Sequence, residues 1–506
     1  MHTRKNVWQL GGHWAAPILW YARGVKAMKA KKLADPTSWR FYGAIHGYNA
    51  EAWKAFGYLS ASDQQPSQAD RKRYWKQCQH GSWYFLPWHR GYLLAFEANV
   101  RAAIVALGGP KNWTLPYWNY FKPGQSGLPP AFASKDWPDG TGDNPLYVPQ
   151  RYGPQDDGNV FVPVNLVNLN ALNDPDFTGV PSGGGPGFGG VDTGFAHGGA
   201  VHGGIETQPH DMVHVYVGGQ NPGGLMSFPD TAGLDPIFWL HHANIDRLWE
   251  VWRKNPPSHV DPSDTDWIKG PANIGERKFS MPMPTGQAWD YTPGDVASLK
   301  TLGYKYDDLS AAAPRLLAPA ARMKRLKVSA AVTKKAAKAR RAAPAQNVEL
   351  VGATSAPLKL SGGETSATVP LDPPTRRKMT RSLDRAAETA APDRVFLNLE
   401  NVRARSGASA FHVYIGLPDH AKAADHPEQL AGTIGLFGVR EASLPDSEHG
   451  GRGITYVLDI THIVDALHLE HGLAADSLAV RIVPVKVIPD EAQISIGRIS
   501  VYRQGR

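Results

Sequence analysis

The sequence predicts a mainly α-helical domain with long loops over residues 1–310, a basic linker over 311–345, and an all-β, sandwich-like domain over 346–506. Three observations predict it. Aromatic and aliphatic residues recur at steps of three and four through the first part. A stretch without aromatics follows, rich in Ala, Lys, Arg and Pro. Beyond it lie short alternating or β-branched runs divided by Gly and Pro. At 506 residues the chain is too long for one compact core.

The elements can be read in order. Trp39, Tyr42, His46, Asn49, Trp53 and Phe56 form one helical face. Leu93, Phe96, Val100, Ile104 and Leu107 mark a second helix, and Ile245, Leu248, Trp249 and Trp252 a third that opens at His242. Gly-rich loops such as Gly183-Gly184-Gly185-Pro186-Gly187 separate them. Ten basic and no acidic residues fall between Arg315 and Arg341, which reads as an exposed, protease-sensitive tether. Strand-like runs follow at 348–354, 366–372, 395–402, 410–417, 431–438, 454–461, 478–485 and 494–503, the spacing of an antiparallel sandwich.

Composition excludes several classes. The net charge of +8 becomes −2 once the ten tether residues are set aside, so the folded domains carry no basic face for nucleic acid. No run of about 18 apolar residues offers a membrane span. The N-terminus shows no secretion signal, so the plain reading is a cytoplasmic protein, with export by a partner also compatible. A single cysteine, Cys78, excludes an intrachain disulfide framework and thiolate-rich metal sites.

The histidines carry the chemistry. His210 and His214 stand four apart, so on a helix both imidazoles face one side and can share an ion. His46, His80, His89 and His242 each sit in an aromatic setting, where a buried imidazole needs a metal or a hydrogen-bond partner. Imidazole sites suit Zn, Cu, Fe or Ni. His210-Asp211-Met212-Val213-His214 by itself resembles the His-Glu-x-x-His helix of zinc hydrolases, but that reading leaves His46, His80, His89 and Cys78 unexplained.

Cys78-Gln79-His80, Trp88-His89-Arg90 and Asp235-Pro236-Ile237-Phe238-Trp239-Leu240-His241-His242-Ala243-Asn244-Ile245-Asp246-Arg247-Leu248-Trp249 resemble the two copper-binding signatures of tyrosinases, catechol oxidases and molluscan haemocyanins. Ser38 to Gly47, Leu115 to Asn119, Val217-Gly218-Gly219 and Leu302 to Asp307 extend the likeness over 1–310. The resemblance implies a four-helix bundle around a type 3 dicopper site, using two copper ions per chain and O2 to oxidise phenols such as tyrosine, tyramine or catechols to o-quinones. One copper would be held by His46, His80 and His89, the other by His210, His214 and His242, with His241 a neighbour. His13, His197, His202 and His259 match no ligand position, which leaves them surface or structural roles. Cys78 would form a thioether with His80. Glu206 would hold a water near the second copper, oriented by Asp211; Asp211 stands where members with strong monophenol activity often have Asn, and its carboxylate would accept a proton from a phenol or fix the water. Phe228 and Pro229 would line the pocket, and Asp246 with Arg247 would form an ion pair or network. Asn119 stands where many relatives have Asp. The C-terminal domain resembles the cap of latent phenol oxidases. A strict catechol or o-aminophenol oxidase and a haemocyanin-like O2 carrier are the competing readings, and a homo-oligomer is compatible with each.

Overall fold

The computed structural model describes residues 1–254, 259–311, 347–389, 392–405, 409–418, 420–446, 450–469 and 476–505. The tether expected over 311–345 lies outside them, save Ala311.

The first domain is built on helices α1 (Ala16–Lys29), α2 (Trp39–His46), α3 (Ala50–Ala55), α4 (Phe85–Ala106), α5 (Met212–Gly218) and α6 (Pro236–Arg253). Helix α4 lies at its centre, against both α1 and α6. Phe96 of α4 stacks flat on Trp239 of α6, and Trp39 closes edge-on over both rings. The strand His2–Arg4 pairs in parallel with Tyr304–Tyr306, which joins the two ends of the domain.

The single helix read from Trp39 to Phe56 is two helices. Gly47 leaves the helix in extended conformation, and the Asn49 side chain caps α3 by accepting from the Glu51 and Ala52 amides. A Cβ at Gly47 would stand 2.8 Å from Asp230 Cα and from Pro229 O, so the break is where another loop presses in. Helix α6 begins at Pro236, not at His242. Asp235 caps it, accepting from the Ile237 amide at 3.0 Å, and Pro236 needs no donor at that position.

The second domain is a sandwich of two four-stranded antiparallel sheets. Its strands are β1 (Val348–Ala353), β2 (Thr365–Pro370), β3 (Arg394–Val402), β4 (Ala410–Ile415), β5 (Leu430–Gly435), β6 (Ile454–Asp459), β7 (Ser477–Pro484) and β8 (Arg498–Gln504). One sheet runs β6-β3-β8-β1, the other β5-β4-β7-β2. Alternate residues Val395, Leu397 and Leu399 of β3 meet Phe411, Val413 and Ile415 of β4 in the core. Two helices, α7 (Pro373–Thr389) and α8 (Thr461–Leu469), also belong to this domain. The run 494–503 divides at Gly497 into Ile494–Ile496 and β8.

The domains are docked. Arg394 of β3 forks onto Asp174 at 3.1 and 3.0 Å, Lys486 pairs with Asp156 at 2.7 Å, and Gln208 donates to the Thr433 carbonyl at 2.6 Å. The glycine loop gives the sheet room. Cβ atoms at Gly183 and Gly185 would lie 2.5 Å from the Tyr502 ring and 2.8 Å from the Phe396 ring. Among the described residues, no helix is long and apolar enough to cross a membrane.

Candidate metal centre

The helices deliver the predicted histidines to one place. α2 ends on His46, α4 carries His89 in its first turns, and α6 carries His242 in its second turn. His210 follows a kink at Gln208, whose backbone is extended, and runs directly into α5 and His214. His80 comes from the loop before α4, turned by Gly81 at φ +58°, a conformation that suits glycine. There a Cβ would stand 2.4 Å from the Gly199 carbonyl carbon.

The ligand atoms of His46, His80 and His89 lie within 4.8 Å of one another, as do those of His210, His214, His241 and His242. The two clusters touch, with His89 stacked on His242 at 4.5 Å between ring centres. In four of the rings Nδ1 is tied to an oxygen of the protein. His46 reaches the Pro229 carbonyl, His89 that of Phe85 and His214 that of Met226, each at 2.8 Å, and His210 reaches Asp211 Oδ1 at 2.9 Å. Nε2 of His46, His80, His89 and His210 is buried without a protein hydrogen-bond partner. A fixed Nδ1 and a bare Nε2 aimed inward is the form of a metal-binding imidazole, because the second contact sets tautomer and ring direction.

Nε2 of His214 and of His242 stand 3.4 Å apart. Two imidazoles bound tetrahedrally at about 2.1 Å to one ion stand about 3.4 Å apart. His241 stacks on His210, its Nδ1 lies 3.4 Å from the Tyr120 hydroxyl, and its Nε2 is likewise buried without a hydrogen-bond partner. Burial holds all six predicted imidazoles below the ordinary histidine pKa, His46 down to about 4, so they are neutral and free to ligate near pH 7. The residues fit a pair of imidazole-bound ions.

The remaining predicted residues are placed as follows. Glu206 is fully buried, and both its oxygens accept from the Gly81 amide, at 3.0 and 2.9 Å. Burial, against the attraction of His202, raises its carboxyl to about 8. Asp211 accepts from His210 through Oδ1 and from His202 through Oδ2, the latter at 2.7 Å. Cys78 is buried, with Sγ 3.2 Å from Nδ1 of His197. Asn119 is buried too, and its Oδ1 has no hydrogen-bond partner. The Pro229 carbonyl steadies His46, while the Phe228 ring lies under Arg440 of the second domain.

Three placements go beyond the sequence reading. His202 is 2% exposed and joined to Glu206 and Asp211, so it is no surface residue. Asp246 and Arg247 do not pair with each other. Asp246 binds Arg90 at 2.5 Å, Arg4 at 3.4 Å and Tyr304 at 2.7 Å, whereas Arg247 reaches Asn244 and the carbonyls of Asp308 and Ser310. Finally, Phe437, in the turn after β5, lies in the apolar cluster of the first domain. Its ring stacks on His214 at 4.1 Å and stands 5.5 Å from His210 and 5.8 Å from His80.

Over its whole length the chain is 34% identical to the whole of the tyrosinase HcTyr1 of Hahella sp. (strain CCB-MM4). The chain belongs to the tyrosinase family. The family described as the common central domain of tyrosinase matches residues 36–255, and a domain of unknown function, DUF7868, matches 347–504. A chloroplastic polyphenol oxidase of Malus domestica is 24% identical over 92% of this chain and 72% of its own. Among solved structures, latent apple tyrosinase superposes with a TM-score of 0.63 at 22% identity, covering 99% of this chain and 97% of that one. A latent aurone synthase gives 0.61 at 20% identity, covering 99% and 89%. These two structures share the two-domain fold. The tyrosinase family is a family of copper oxidases, so copper is the metal that the paired histidine clusters are built to take.

Proposed function

We propose that this tyrosinase-family enzyme oxidises monophenols and o-diphenols to o-quinones with O2 at a centre of two copper ions, and that its C-terminal domain keeps it latent. The observation that carries the reading is the set of six buried imidazoles with Nε2 turned into one space. His46, His80 and His89 would hold one copper, and His210, His214 and His242 the other. Copper bound there would supply the activation of O2 and take up the electrons that leave the phenol ring.

The protein's own share is positioning, dryness and proton handling. The carbonyls of Pro229, Phe85 and Met226 fix the directions of His46, His89 and His214. Phe85 and Phe238 pack against the histidine rings and keep water out. Glu206, seated on the Gly81 amide, is the group placed to accept the phenolic proton, directly or through a water. A thioether between Cys78 and His80 would lock that ring further, and an intact mass lower by two hydrogens after copper loading would register it.

Phe437 supports latency. Its ring occupies the face of His214, where an aromatic substrate would have to stack. The second domain must shift before a phenol can enter.

One observation favours a narrower activity. Both oxygens of Asp211 already accept from an imidazole, His202 and His210, which turns the carboxylate toward these rings and weakens its hold on a water at Glu206. That arrangement supports a strict o-diphenol oxidase. Metal content and O2 uptake decide among these readings. Two coppers per chain, with uptake on both catechol and tyramine, support the full activity. Uptake on catechol alone selects the narrower one, and one zinc with no uptake overturns both.

A further inference from the structure

His202 is buried in the glycine loop four residues before Glu206, and neither the metal ligands nor the proton step account for it. Its Nδ1 lies 2.7 Å from Asp211 Oδ2, while the other oxygen of Asp211 takes the Nδ1 hydrogen of His210 at 2.9 Å. Its Nε2 lies 3.7 Å from Glu206 Oε1, and Glu206 is anchored to the amide that follows His80. One imidazole thus ties the carboxylate behind a ligand of the second cluster to a carboxylate seated beside the first. A carboxylate held by one donor can still swing about its side-chain bonds. Two opposed donors fix its plane and satisfy its buried charge. The second domain seals the arrangement. Tyr456 of β6 packs edge-on against His202 at 6.0 Å, and the Thr455 amide donates to the Ala200 carbonyl at 2.7 Å.

We infer that His202 is a positioning residue: by donating its Nδ1 hydrogen to Asp211 it fixes that carboxylate, and with it the ring of His210, and so sets the affinity of the second metal position. The inference rests on the dicopper reading of the site. It assigns His202 no contact with substrate and no proton transfer.

The test is copper affinity, read by metal content during competition with a graded chelator, on the full chain and on H202N and H202F. The Asn amide can stand where Nδ1 stands and keep the donor; Phe keeps the packing against Tyr456 and loses the donor. H202F should hold the first copper as the unmodified chain does and the second about 10–100-fold more weakly, with H202N close to unmodified. The melting temperature of the copper-free proteins checks that all are folded. If H202F fails to fold, H202Q replaces it, since its amide reaches past Asp211, and it should show the same selective loss. Equal second-copper affinity in all variants overturns the inference, and so does an H202N as weak as H202F. A third metal equivalent that disappears with His202 overturns it as well, because the triad would then be a metal site in its own right. An unmodified chain that takes fewer than two coppers refutes the dicopper reading itself, whatever the variants do.

Discussion

Removing the Phe437 ring should unlock the enzyme. The side chain is fully buried, and it packs on His214, His210 and His80, not within the sandwich. Truncating a buried Phe to Ala costs about 3–5 kcal/mol. Because the lost contacts cross between domains, most of that cost falls on docking, not on folding of either unit. Each ~1.4 kcal/mol is a factor of ten, so the undocked fraction should rise by about 100-fold or more until it saturates. The interface would still be held by Arg394 on Asp174, Lys486 on Asp156 and Gln208 on Thr433. The assay is O2 uptake on catechol by copper-loaded, uncleaved protein, with and without mild detergent. For the parent chain, detergent should raise the rate strongly. For F437A the untreated rate should approach the treated one, at unchanged copper content. The reasoning is refuted if F437A is as silent as its parent before detergent and equal to it afterwards. It is refuted equally if the parent needs no activation.

Other perturbations test separate parts of the argument. E206Q should keep both coppers and lower hydroxylation of tyramine by about 100-fold or more, with catechol oxidation less affected, as measured by initial O2 uptake. Glu441 of the second domain is half-buried opposite Asp230 of the first. Burial and then repulsion from Asp230 raise it to about 7, against the opposing pull of Arg440 and Lys76. A raised carboxyl favours the docked state at low pH and loses that contribution as pH rises from about 4.5 to about 7, so the activation ratio should fall between pH 5.5 and 8 and be flatter in E441Q. His46 moves the other way. Burial lowers it to about 4, so the unfolded chain binds more protons below 6.5, and about 3 kcal/mol of copper-free stability is lost as pH falls from 6.5 through 4. Urea unfolding of copper-free protein at pH 7.5 and 4.5 checks this, and H46Q should reduce the difference. D246N would leave Arg4 and Arg90 buried beside a neutral partner. It should cost about 3–5 kcal/mol and roughly 10 °C in calorimetric melting temperature.

What the sequence displayed and what it hid divide along a physical line. The strand runs were visible because alternation is a property of neighbours in the chain, and each run overlaps a strand, the last of them two. The histidines proposed to bind copper were visible for a related reason. Metal ligands must approach within a few ångströms, and helices achieve this with fixed local spacing, as from His210 to His214, or with long signatures such as Asp235 to Trp249. The break at Gly47 was hidden because its cause, the loop at Pro229 and Asp230, is distant in sequence. So were the partners of Asp246, which come from Arg4, Arg90 and the strand at Tyr304.

The same line runs through the site and separates chemistry from control. The residues proposed to bind copper are recognisable from their own segments. The residues proposed to govern them are ordinary until the chain is folded: Phe437 in a Gly-Leu-Phe-Gly turn, His202 in a glycine loop, and Glu441 against Asp230. None has a local pattern: Phe437 and Glu441 act across the domain boundary, and His202 reaches Asp211 from a loop without helical or strand spacing. On the proposed function, a change that leaves both histidine signatures intact would therefore still alter when the enzyme opens and how firmly it holds its second metal. Comparing F437A, E441Q and H202F, none of which replaces a proposed ligand, would measure that separation directly. Docking should change in the first two and second-site affinity in the third.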